Sequence, residues 1–438
     1  MNAQQILKIA AAWGMGFIAQ GAQASAIQLI EQDAAGQGNA FAGSAARADS
    51  AATVFANPAG MIKLPGKNLS MGVTAIDIKA RFENGASIAP PTQLIQPPFT
   101  QATPAGSDAD GGTLGYAPNF YYSQQLDDRW ALGIGFNAPF GLKTDYPEDF
   151  RGRFLARKSD IKTMNFNPSV AYKLNETVAL GFGANYQKFD AELTQAVITA
   201  GLAAGEGYLT QKGDSWAWGW NVGVLIDLTP ATRLGVSYRS KVDHKIKGNY
   251  SFDNVPAPIL AAAGFNAMSG DGTATVTLPE IWTFSLTHQL DERWQLLADL
   301  SRTGWGDRSE LRIQYANGSK DQFNTFDWKA TTRVAVGASY QLNDSLKLRA
   351  GLATDQSPVT DDNRIARMPD SSRTWYALGF QYKPNKTMAF DVGYTYIKGK
   401  DAKINESGTP PNPVSYGVLN GAYRNSGQEL GVQYSLSF

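Results

Sequence analysis

Hydrophobic and polar residues alternate along most of the chain from residue 67 onward. In TMNFNPSVAYKL (163–174), every second residue from Met164 to Leu174 is apolar, and those between them are polar or small. The stretch WAWGWNVGVLIDL (216–228) has the same period. A two-residue period predicts β-strands with one apolar and one polar face. These runs extend over ten residues or more, which is typical of tilted strands that cross a membrane.

Short polar turns alternate with longer connections between the predicted strands. The six short turns are QLDDRW (125–130), KLNETV (173–178), DLTPAT (227–232), QLDERW (289–294), QLNDSL (341–346) and YKPNKT (382–387). The seven long connections lie at about 81–113, 140–160, 193–212, 251–272, 317–326, 355–373 and 399–426. Short turns at one rim and long loops at the other are typical of outer-membrane barrels. The pattern therefore predicts an all-β fold, a fourteen-stranded antiparallel transmembrane β-barrel.

The first residues of the chain have the features of a secretory signal. Lys8 supplies a positive charge, the apolar run at 9–19 follows, and Ala22-Gln23-Ala24 fits a cleavage site. An apolar run of this length is too short to cross a bilayer as a helix. We therefore expect residues 1–24 to be a signal peptide that is removed on export.

The last predicted strand, ELGVQYSLSF, alternates up to the final residue, Phe438. Pairing of this strand with the first one would close the sheet and remove both open edges. A terminal aromatic residue also resembles the C-terminal signal by which outer-membrane proteins are recognised for assembly. We expect residues 67–438 to form a monomeric barrel in the outer membrane of a Gram-negative bacterium. Its partners there would be the assembly machinery, through Phe438, and outer-membrane lipid and lipopolysaccharide.

Residues 25–66 are rich in Ala, Gly and Ser and have no two-residue period. Irregular backbone at membrane depth is tolerated where it is not exposed to lipid, so we predict that this segment is a hatch inside the barrel. Within VFANPAG, Pro58 has a fixed φ and favours an extended Asn57, which makes Asn57, Pro58 and Ala59 a rigid elbow. The alternative is a linker turn that plugs nothing.

The third predicted strand, WALGIGFNAPFGL, contains features that disfavour a continuous ladder. Gly133 and Gly135 weaken it, and Pro139 cannot donate a ladder hydrogen bond. We expect strand pairing to break near Asn137, Ala138 and Pro139. Such a break would open the barrel wall and let an apolar molecule leave sideways. The alternative is that Pro139 only ends the strand at the extracellular rim.

Two long connections, at 196–209 and 255–268, are unusually apolar. Loops in water have no need of large apolar side chains unless these pack on each other or receive a ligand. We predict a substrate-capture groove between the two loops, with mutual packing as the alternative. The predicted capture residues are Ile198, Leu202, Tyr208, Ile259, Leu260 and Phe265. The loop before strand twelve carries Arg364, Arg367 and Arg373, which are possible contacts for a carboxylate or contacts that stabilise the loop.

Five stretches of the chain resemble a known family. They are IQLIEQDAAGQGNAFAG, ADSAATVFANPAGM, FGLKTDY, LARKSDIKTMNFNPSVAYKL and DQSPVTDDNRIARMPDSSRTWYALGFQY. In this order they resemble the FadL-type transporters of long-chain fatty acids, a family that includes channels for aromatic hydrocarbons. The resemblance implies a fourteen-stranded barrel, a hatch that carries Asn57, Pro58 and Ala59, and lateral release at an inward kink of the third strand.

Other kinds of chemistry have little support. The chain has no cysteine and two histidines, His244 and His288, on different predicted strands, so we expect no metal site, cofactor or catalytic centre. A net charge of zero disfavours nucleic acid. We predict a channel for diffusive uptake of hydrophobic molecules, with long-chain fatty acids as the preferred class. An aromatic hydrocarbon channel, a general porin and a barrel enzyme are the alternatives.

Overall fold

The computed structural model describes residues 26–88, 108–199, 206–307, 310–407 and 417–438. The predicted signal peptide, residues 1–24, lies outside these ranges, as does Leu202. The fourteen strands are β1 (Lys67–Asn84), β2 (Leu114–Gln125), β3 (Trp130–Asn137, continued at Gly141–Asp145), β4 (Lys158–Lys173), β5 (Val178–Val197), β6 (Gly207–Thr229), β7 (Thr232–Arg239, continued at Val242–Asp253), β8 (Ser269–Leu278, continued at Ile281–Gln289), β9 (Trp294–Thr303), β10 (Thr331–Asn343), β11 (Leu346–Asp355), β12 (Arg373–Tyr382), β13 (Met388–Gly399, continued at Ala402–Ser407) and β14 (Val418–Ser437). Three short segments extend the sheet at its rim: Ala109–Asp110, Glu310–Tyr315 and Gln322–Thr325.

Every strand pairs with its neighbours in an antiparallel ladder, and the sheet closes on itself. β1 pairs with β14 from Asn68 opposite Ser437 to Asn84 opposite Gly421. It also pairs with β2 on its other side. Closure leaves neither the first nor the last strand with an open edge. The prediction of a closed fourteen-stranded antiparallel barrel is confirmed.

Five of the six short turns share one local structure. The Asp127 carboxylate accepts hydrogen bonds from the backbone N–H groups of Arg129 and Trp130, both at 2.8 Å. Asn175 and Asn385 cap their turns in the same way. Asp and Asn favour such turns because their side chains mimic a backbone hydrogen-bond acceptor. The sequence motifs at these positions therefore predict the turns correctly.

The outward face of the barrel is apolar and carries aromatic residues in two bands. Near the long loops, the ring of Tyr186 lies 4.5 Å from those of Trp216 and Trp218. Near the short turns, Trp130 contacts Tyr172 at 4.6 Å between ring centroids. Two aromatic girdles that flank an apolar band are characteristic of transmembrane barrels. The predicted alternation of lipid-facing and lumen-facing residues is confirmed.

The segment before β1 forms short helices that lie against the inward face of the barrel. These are α1 (Ala34–Gln37), α2 (Ser44–Arg47), α3 (Thr53–Ala56) and a 3-10 helix (Pro58–Lys63). Inward-facing glycines leave room for its backbone, since a Cβ atom on Gly181 would collide with Ala59 and one on Gly235 with Ala45. Most side chains of the segment are buried.

The remaining helices lie in the long connections. α4 (Ala257–Ala262) is in the connection between β7 and β8, and a 3-10 helix (Trp305–Asp307) follows β9. None of the helices in the described part of the chain is long and apolar enough to cross a membrane.

Candidate transport path

The third strand is interrupted where the sequence predicts a break. β3 pairs with β4 on both sides of residues 138–140, with Asn137 opposite Asn165 and Gly141 opposite Lys162. The register shifts by one residue between these pairs. Ala138 is 2% exposed, so the interrupted backbone turns into the barrel. Pro139 has no N–H to donate, which explains why the ladder fails here.

The same interruption leaves a gap between β3 and β2. Their ladder runs from Gln125 opposite Ala131 to Phe120 opposite Phe136 and ends there. Beyond it, residues 114–119 of β2 pair with β1, and among the described residues they have no ladder partner in β3.

The gap is bounded on the loop side as well. The Thr113 hydroxyl donates to the Lys143 carbonyl at 3.3 Å, and the Asp145 N–H donates to the Gly111 carbonyl at 3.0 Å. The ladder between β2 and β3 is therefore interrupted over this stretch, and we call the interruption the β2–β3 window.

Residues 27–32 of the N-terminal segment replace β2 as the hydrogen-bond partner of β3 on the lumenal side of this window. The Leu29 N–H donates to the Pro139 carbonyl at 2.8 Å, and the Gly141 N–H donates to the Ile27 carbonyl at 2.7 Å. The Gln32 side-chain amide donates to the Ala138 carbonyl at 3.0 Å. Residues 27–32 therefore satisfy backbone groups that the break would otherwise leave unpaired at membrane depth.

Gly133 and Gly135 lie below the window, where β3 is paired on both sides. A Cβ atom on Gly133 would lie 2.6 Å from Cγ2 of Val54 and would also collide with Met61. Gly133 therefore makes room for the N-terminal segment, whereas a Cβ atom on Gly135 would press mainly on the Tyr121 ring of β2 at 3.1 Å. Asn137, Ala138 and Pro139 are the predicted residues at the break itself.

The elbow at Asn57 is pinned to the barrel wall. Asn57 is extended, with φ −161° and ψ 102°, and its side-chain oxygen accepts the Ala59 N–H at 3.1 Å. Its amide nitrogen donates to the carbonyls of Ala45 at 2.7 Å and Val224 at 3.0 Å. Pro58 starts the 3-10 helix, where no N–H is required. The elbow thus joins two helical turns to β6.

An apolar cavity of about 110 Å³ lies in the loop-side half of the lumen. Its lining includes Leu142, Phe189, Ile246, Ala274, Ile313 and Met368. The polar side chains at its wall include Arg367 and Gln211. The Gln211 amide already has a hydrogen-bond partner, since it donates to the Tyr315 hydroxyl at 2.7 Å. This cavity, which we call the upper cavity, suits an apolar ligand with one polar end.

The three arginines predicted as carboxylate contacts, in the loop before β12, differ in their partners. Arg364 lies 2.5 Å from the Asp361 carboxylate, and Arg373 lies 3.1 Å from that of Asp370. Arg367 has no carboxylate within salt-bridge distance in the described part of the chain. It donates to the carbonyls of Lys158 at 3.3 Å and Thr194 at 3.2 Å, and to the Gln195 side chain at 2.6 Å.

Burial lowers the pKa of Arg367 to about 10, which still leaves its guanidinium charged at neutral pH. Of the three arginines, Arg367 alone lines the upper cavity. It is therefore the one of the three cations that lies at the wall of this cavity.

The predicted capture residues of the second loop pack together. Leu260 and Phe265 are buried, and the Phe265 ring lies 5.4 Å from that of Tyr250 and 5.0 Å from that of Tyr315. Ile259 packs against the same cluster. Tyr250 and Tyr315 also line the upper cavity, so this loop forms part of its outer wall.

The first loop contributes less to this cluster. Ile198 is half-buried, and Tyr208 lies beneath the Arg157 guanidinium at 5.5 Å. Leu202 lies outside the described residues.

A second cavity, also of about 110 Å³, lies deeper in the lumen beside Pro139. We call it the lower cavity. Its wall includes Leu29, Phe41, Phe55 and Arg239. The N-terminal segment supplies much of this lining, so the volume depends on where the segment lies.

Sequence reasoning missed a row of asparagines in the lumen next to the break. Asn165 donates to Asn137 at 3.2 Å and to Asn185 at 3.1 Å, and Asn185 donates to Asn221 at 2.9 Å. Their shared position on the polar face of successive strands is visible in the sequence, but their register is not. The row continues to Tyr121, whose hydroxyl accepts from Asn137 at 3.1 Å.

Pro168 does not open a second window. The Ala184 carbonyl, which β4 cannot pair at Pro168, accepts a hydrogen bond from the Asn167 side chain at 2.8 Å. The ladder resumes in the same register with Ser169 opposite Gly183. The Asn167 side chain therefore satisfies the carbonyl that Pro168 leaves unpaired, and the ladder between β4 and β5 continues.

Comparison with known proteins agrees with this architecture. Residues 15–438 match the family model for outer membrane protein transport proteins (OMPP1/FadL/TodX). The chain belongs to this family. It is therefore an outer-membrane transport protein for hydrophobic molecules, and its relatives are transport channels.

Three similar proteins illustrate the range of the family. The chain is 32% identical to outer membrane protein P1 of Haemophilus influenzae over 424 residues, 90% of each chain. It is 31% identical to the long-chain fatty acid transport protein of Salmonella typhi, covering 91% of this chain and 93% of the relative. The crystal structure of a Pseudomonas aeruginosa FadL homologue superposes with a TM-score of 0.85 at 22% identity, over 94% of this chain and all of the other.

The described residues contain no group of three or more His, Asp or Glu side chains that could hold a metal ion. His244 faces the lumen and shares hydrogen bonds with Ser215 at 2.8 Å and Gln187 at 3.0 Å. His288 contacts Thr232 at 2.8 Å in a different part of the sheet. The two histidines are not brought together.

Proposed function

We propose that this channel takes up long-chain fatty acids and releases them sideways through the β2–β3 window. The observation that carries the substrate class is the upper cavity, where an almost wholly apolar lining meets the buried guanidinium of Arg367. Arg367 forms no salt bridge with a described acidic side chain, although the Glu406 carboxylate lies near enough to act on its charge. A carboxylate bound in the cavity would compete only with that longer-range interaction, while the alkyl chain would lie on Leu142, Phe189 and Met368.

The route out rests on the N-terminal segment, residues 25–66, acting as a hatch after removal of residues 1–24. Residues 27–32 stand between the lower cavity and the β2–β3 window. A small displacement of these residues would join the two spaces. The elbow at Asn57 would hold the rest of the hatch in place during this movement.

Lateral release has a physical advantage for such a ligand. Transfer of each buried methylene into water costs roughly 0.8 kcal/mol. A path from the lumen directly into the bilayer avoids that cost, whereas a vertical pore would deliver the chain into the aqueous periplasm. No energy source is required if consumption inside the cell keeps the ligand concentration low.

The substrate class is tested with purified full-length protein. We expect palmitate to bind at least about tenfold more tightly than the alcohol of equal chain length, since a charge-assisted hydrogen bond is lost in the alcohol. Arg367→Met should remove this difference. Arg424→Met is the matched control, because Arg424 is exposed and pairs with Glu83 at 3.0 Å. Equal binding of acid and alcohol to the unmodified channel would overturn the fatty acid proposal.

One observation favours an aromatic hydrocarbon as the alternative ligand. The upper cavity, at about 110 Å³, is closer in size to a single ring than to a long alkyl chain, and an apolar cavity of about 150 Å³ is known to bind benzene. A fatty acid would have to reach from the upper to the lower cavity. Toluene binding that is unaffected by Arg367→Met, together with no palmitate binding, would support this alternative. Passage of small sugars at the same rate would instead support a general porin.

A further inference from the structure

Two carboxyl groups meet inside the barrel, one on the N-terminal segment and one on the wall. Glu31 belongs to residues 27–32 behind the β2–β3 window, which we call the cover, and Glu429 faces the lumen from β14. The two side chains lie within hydrogen-bond distance of each other. Glu31 is 1% exposed and Glu429 is 2% exposed, so water does not screen their charges.

This contact requires a proton on one of the two groups. A carboxylate only accepts hydrogen bonds, and no other residue in the described part of the chain donates one to either oxygen of Glu31 or to Oε2 of Glu429. When one carboxyl carries a proton, its O–H donates to the other in a charge-assisted hydrogen bond. Two carboxyl groups in direct contact cannot both ionise without a large penalty, so the pair holds at least one proton.

The charges around the pair do not remove this requirement. Arg333 on β10 and Arg373 on β12 lie near enough to act on both carboxyl groups. Arg373 is already shared, since it lies 3.3 Å from Asp355 and 3.1 Å from Asp370. Asp355 and Asp299 act on the charge of Arg333. Three aspartates therefore already face the two arginines, and two ionised glutamates would add negative charge without compensation.

Glu31 lies between two anchored parts of the N-terminal segment. On one side of it the cover bonds to β3, and on the other the Ala34 N–H donates to the Gln433 side chain of β14 at 3.2 Å. At Glu31 itself the chain turns tightly, because the Gln32 N–H donates to the Ile30 carbonyl at 2.8 Å. A change in the charge of Glu31 would therefore act directly on the cover and leave the anchor of α1 in place.

We propose that Glu31 and Glu429 form a latch on the cover that is operated by a proton. With a proton on the pair, the hydrogen bond between the two carboxyl groups holds the cover against β14. When that proton passes to water in the lumen, both groups are ionised, and their repulsion moves Glu31 away from the wall. The cover then leaves the β2–β3 window. The proposal rests on the lateral route proposed above, but the state of the latch is measured independently of transport.

The latch is tested with nitroxide spin labels on the full-length protein, which has no other cysteine. Ile30→Cys places the label on the cover and Ala56→Cys places it on α3, and both positions are half-buried at the lower cavity. After labelling, spectra are recorded from about pH 5 to about pH 9. We expect the label on the cover to move at least about threefold faster at high pH and the label on α3 to be unaffected.

Glu429→Gln separates the latch from a general loosening of the hatch. Its amide still donates to the Glu31 carboxylate and has no proton to lose, so the label on the cover should stay immobile over the whole range. Glu292→Gln, in the exposed turn between β8 and β9, is the matched control and should keep the full response to pH. Heat-modifiable gel mobility checks folding, and Gln28→Cys carries the label if Ile30→Cys does not fold. A cover whose motion does not change with pH, or whose response persists in Glu429→Gln, would overturn the latch.

A second measurement connects the latch to transport. Release of bound hexadecanol into the bilayer of proteoliposomes is followed over the same range, because this alcohol has no charge that changes with pH. Faster release at high pH that is lost in Glu429→Gln supports the latch. A cover that becomes mobile without faster release would still support the latch, and would count against the lateral route.

Discussion

The backbone N–H of Leu29 donates a hydrogen bond to the carbonyl of Pro139 across the lumenal side of the β2–β3 window, at 2.8 Å. These residues are far apart in the chain, yet they meet as neighbouring strands would. The bond matters because a carbonyl left unpaired at membrane depth costs several kcal/mol. The N-terminal segment therefore stabilises the break in β3 while it covers the window.

A reversible crosslink tests whether this cover must move. Gln28 and Phe140 form an antiparallel bridge, which places their Cα atoms within the range for a disulfide. The variant Gln28→Cys with Phe140→Cys should take up substrate when reduced and lose uptake when oxidised. The measurement is uptake of labelled ligand in cells before and after addition of a reductant.

The control crosslink joins two strands that stay paired. Ser70 on β1 and Ser435 on β14 face each other, with their hydroxyl oxygens 3.0 Å apart. Ser70→Cys with Ser435→Cys should leave uptake unchanged in both redox states. Since the chain has no other cysteine, each bond is unambiguous. Uptake that survives oxidation of the Gln28–Phe140 pair would show that the segment does not gate the window.

The window itself is tested by a residue behind it. Ala138 packs with Leu29, Ile76 and Ala117 in a small buried cluster. Ala138→Trp should obstruct the exit at a cost in stability of roughly 1–3 kcal/mol from overpacking. We expect ligand binding to persist and uptake to fall.

Binding and uptake of the Ala138→Trp variant are measured on the same cells, with heat-modifiable mobility as the folding check. Leu378→Trp, on the exposed outer face, is the control for added bulk. Gly133 is not a suitable site, because a side chain there would press on Val54 and Met61 instead of filling the gap. Normal uptake by folded Ala138→Trp would mean that the ligand does not leave between β2 and β3.

The elbow should control leakage through the lumen. Asn57→Ala removes hydrogen bonds to Ala45, Ala59 and Val224, each worth about 1 kcal/mol, without touching the barrel ladder. We expect faster leakage of a small dye from liposomes and greater sensitivity of cells to bulky antibiotics. Asn249→Ala, at an exposed outward position on β7, should change neither. Unchanged leakage in Asn57→Ala would remove the elbow from the barrier.

A buried ion pair in the lumen gives a test of stability. Arg349 on β11 pairs with Asp391 on β13, and both side chains are almost completely buried. Arg349→Met should destabilise the barrel by about 3–5 kcal/mol, because the buried Asp391 carboxylate loses its cation and keeps only the neutral Gln381 amide as a partner. Adding Asp391→Leu should restore part of the loss. Unfolding in urea, followed by tryptophan fluorescence in detergent, measures the difference; equal stability of the single and double variants would contradict this view.

The barrel was predictable from sequence because its determinants are local. The alternation of apolar and polar residues depends on neighbours in the chain. Turns such as the one at Asp127 depend on one side chain that accepts hydrogen bonds from two nearby N–H groups. The break at Pro139 was equally visible, since a proline removes a ladder donor wherever it stands in a strand.

The transport path depends on contacts between residues that are far apart in the chain, and the sequence does not show which of them meet. Nothing near Pro139 indicates that Leu29 would become its partner. Similarly, Arg364, Arg367 and Arg373 look alike in the sequence, and they differ because Asp361 and Asp370 lie beside two of them and the upper cavity beside the third. Such differences arise when the closed barrel brings distant strands, loops and the N-terminal segment together, because burial and charge pairing depend on distances in space.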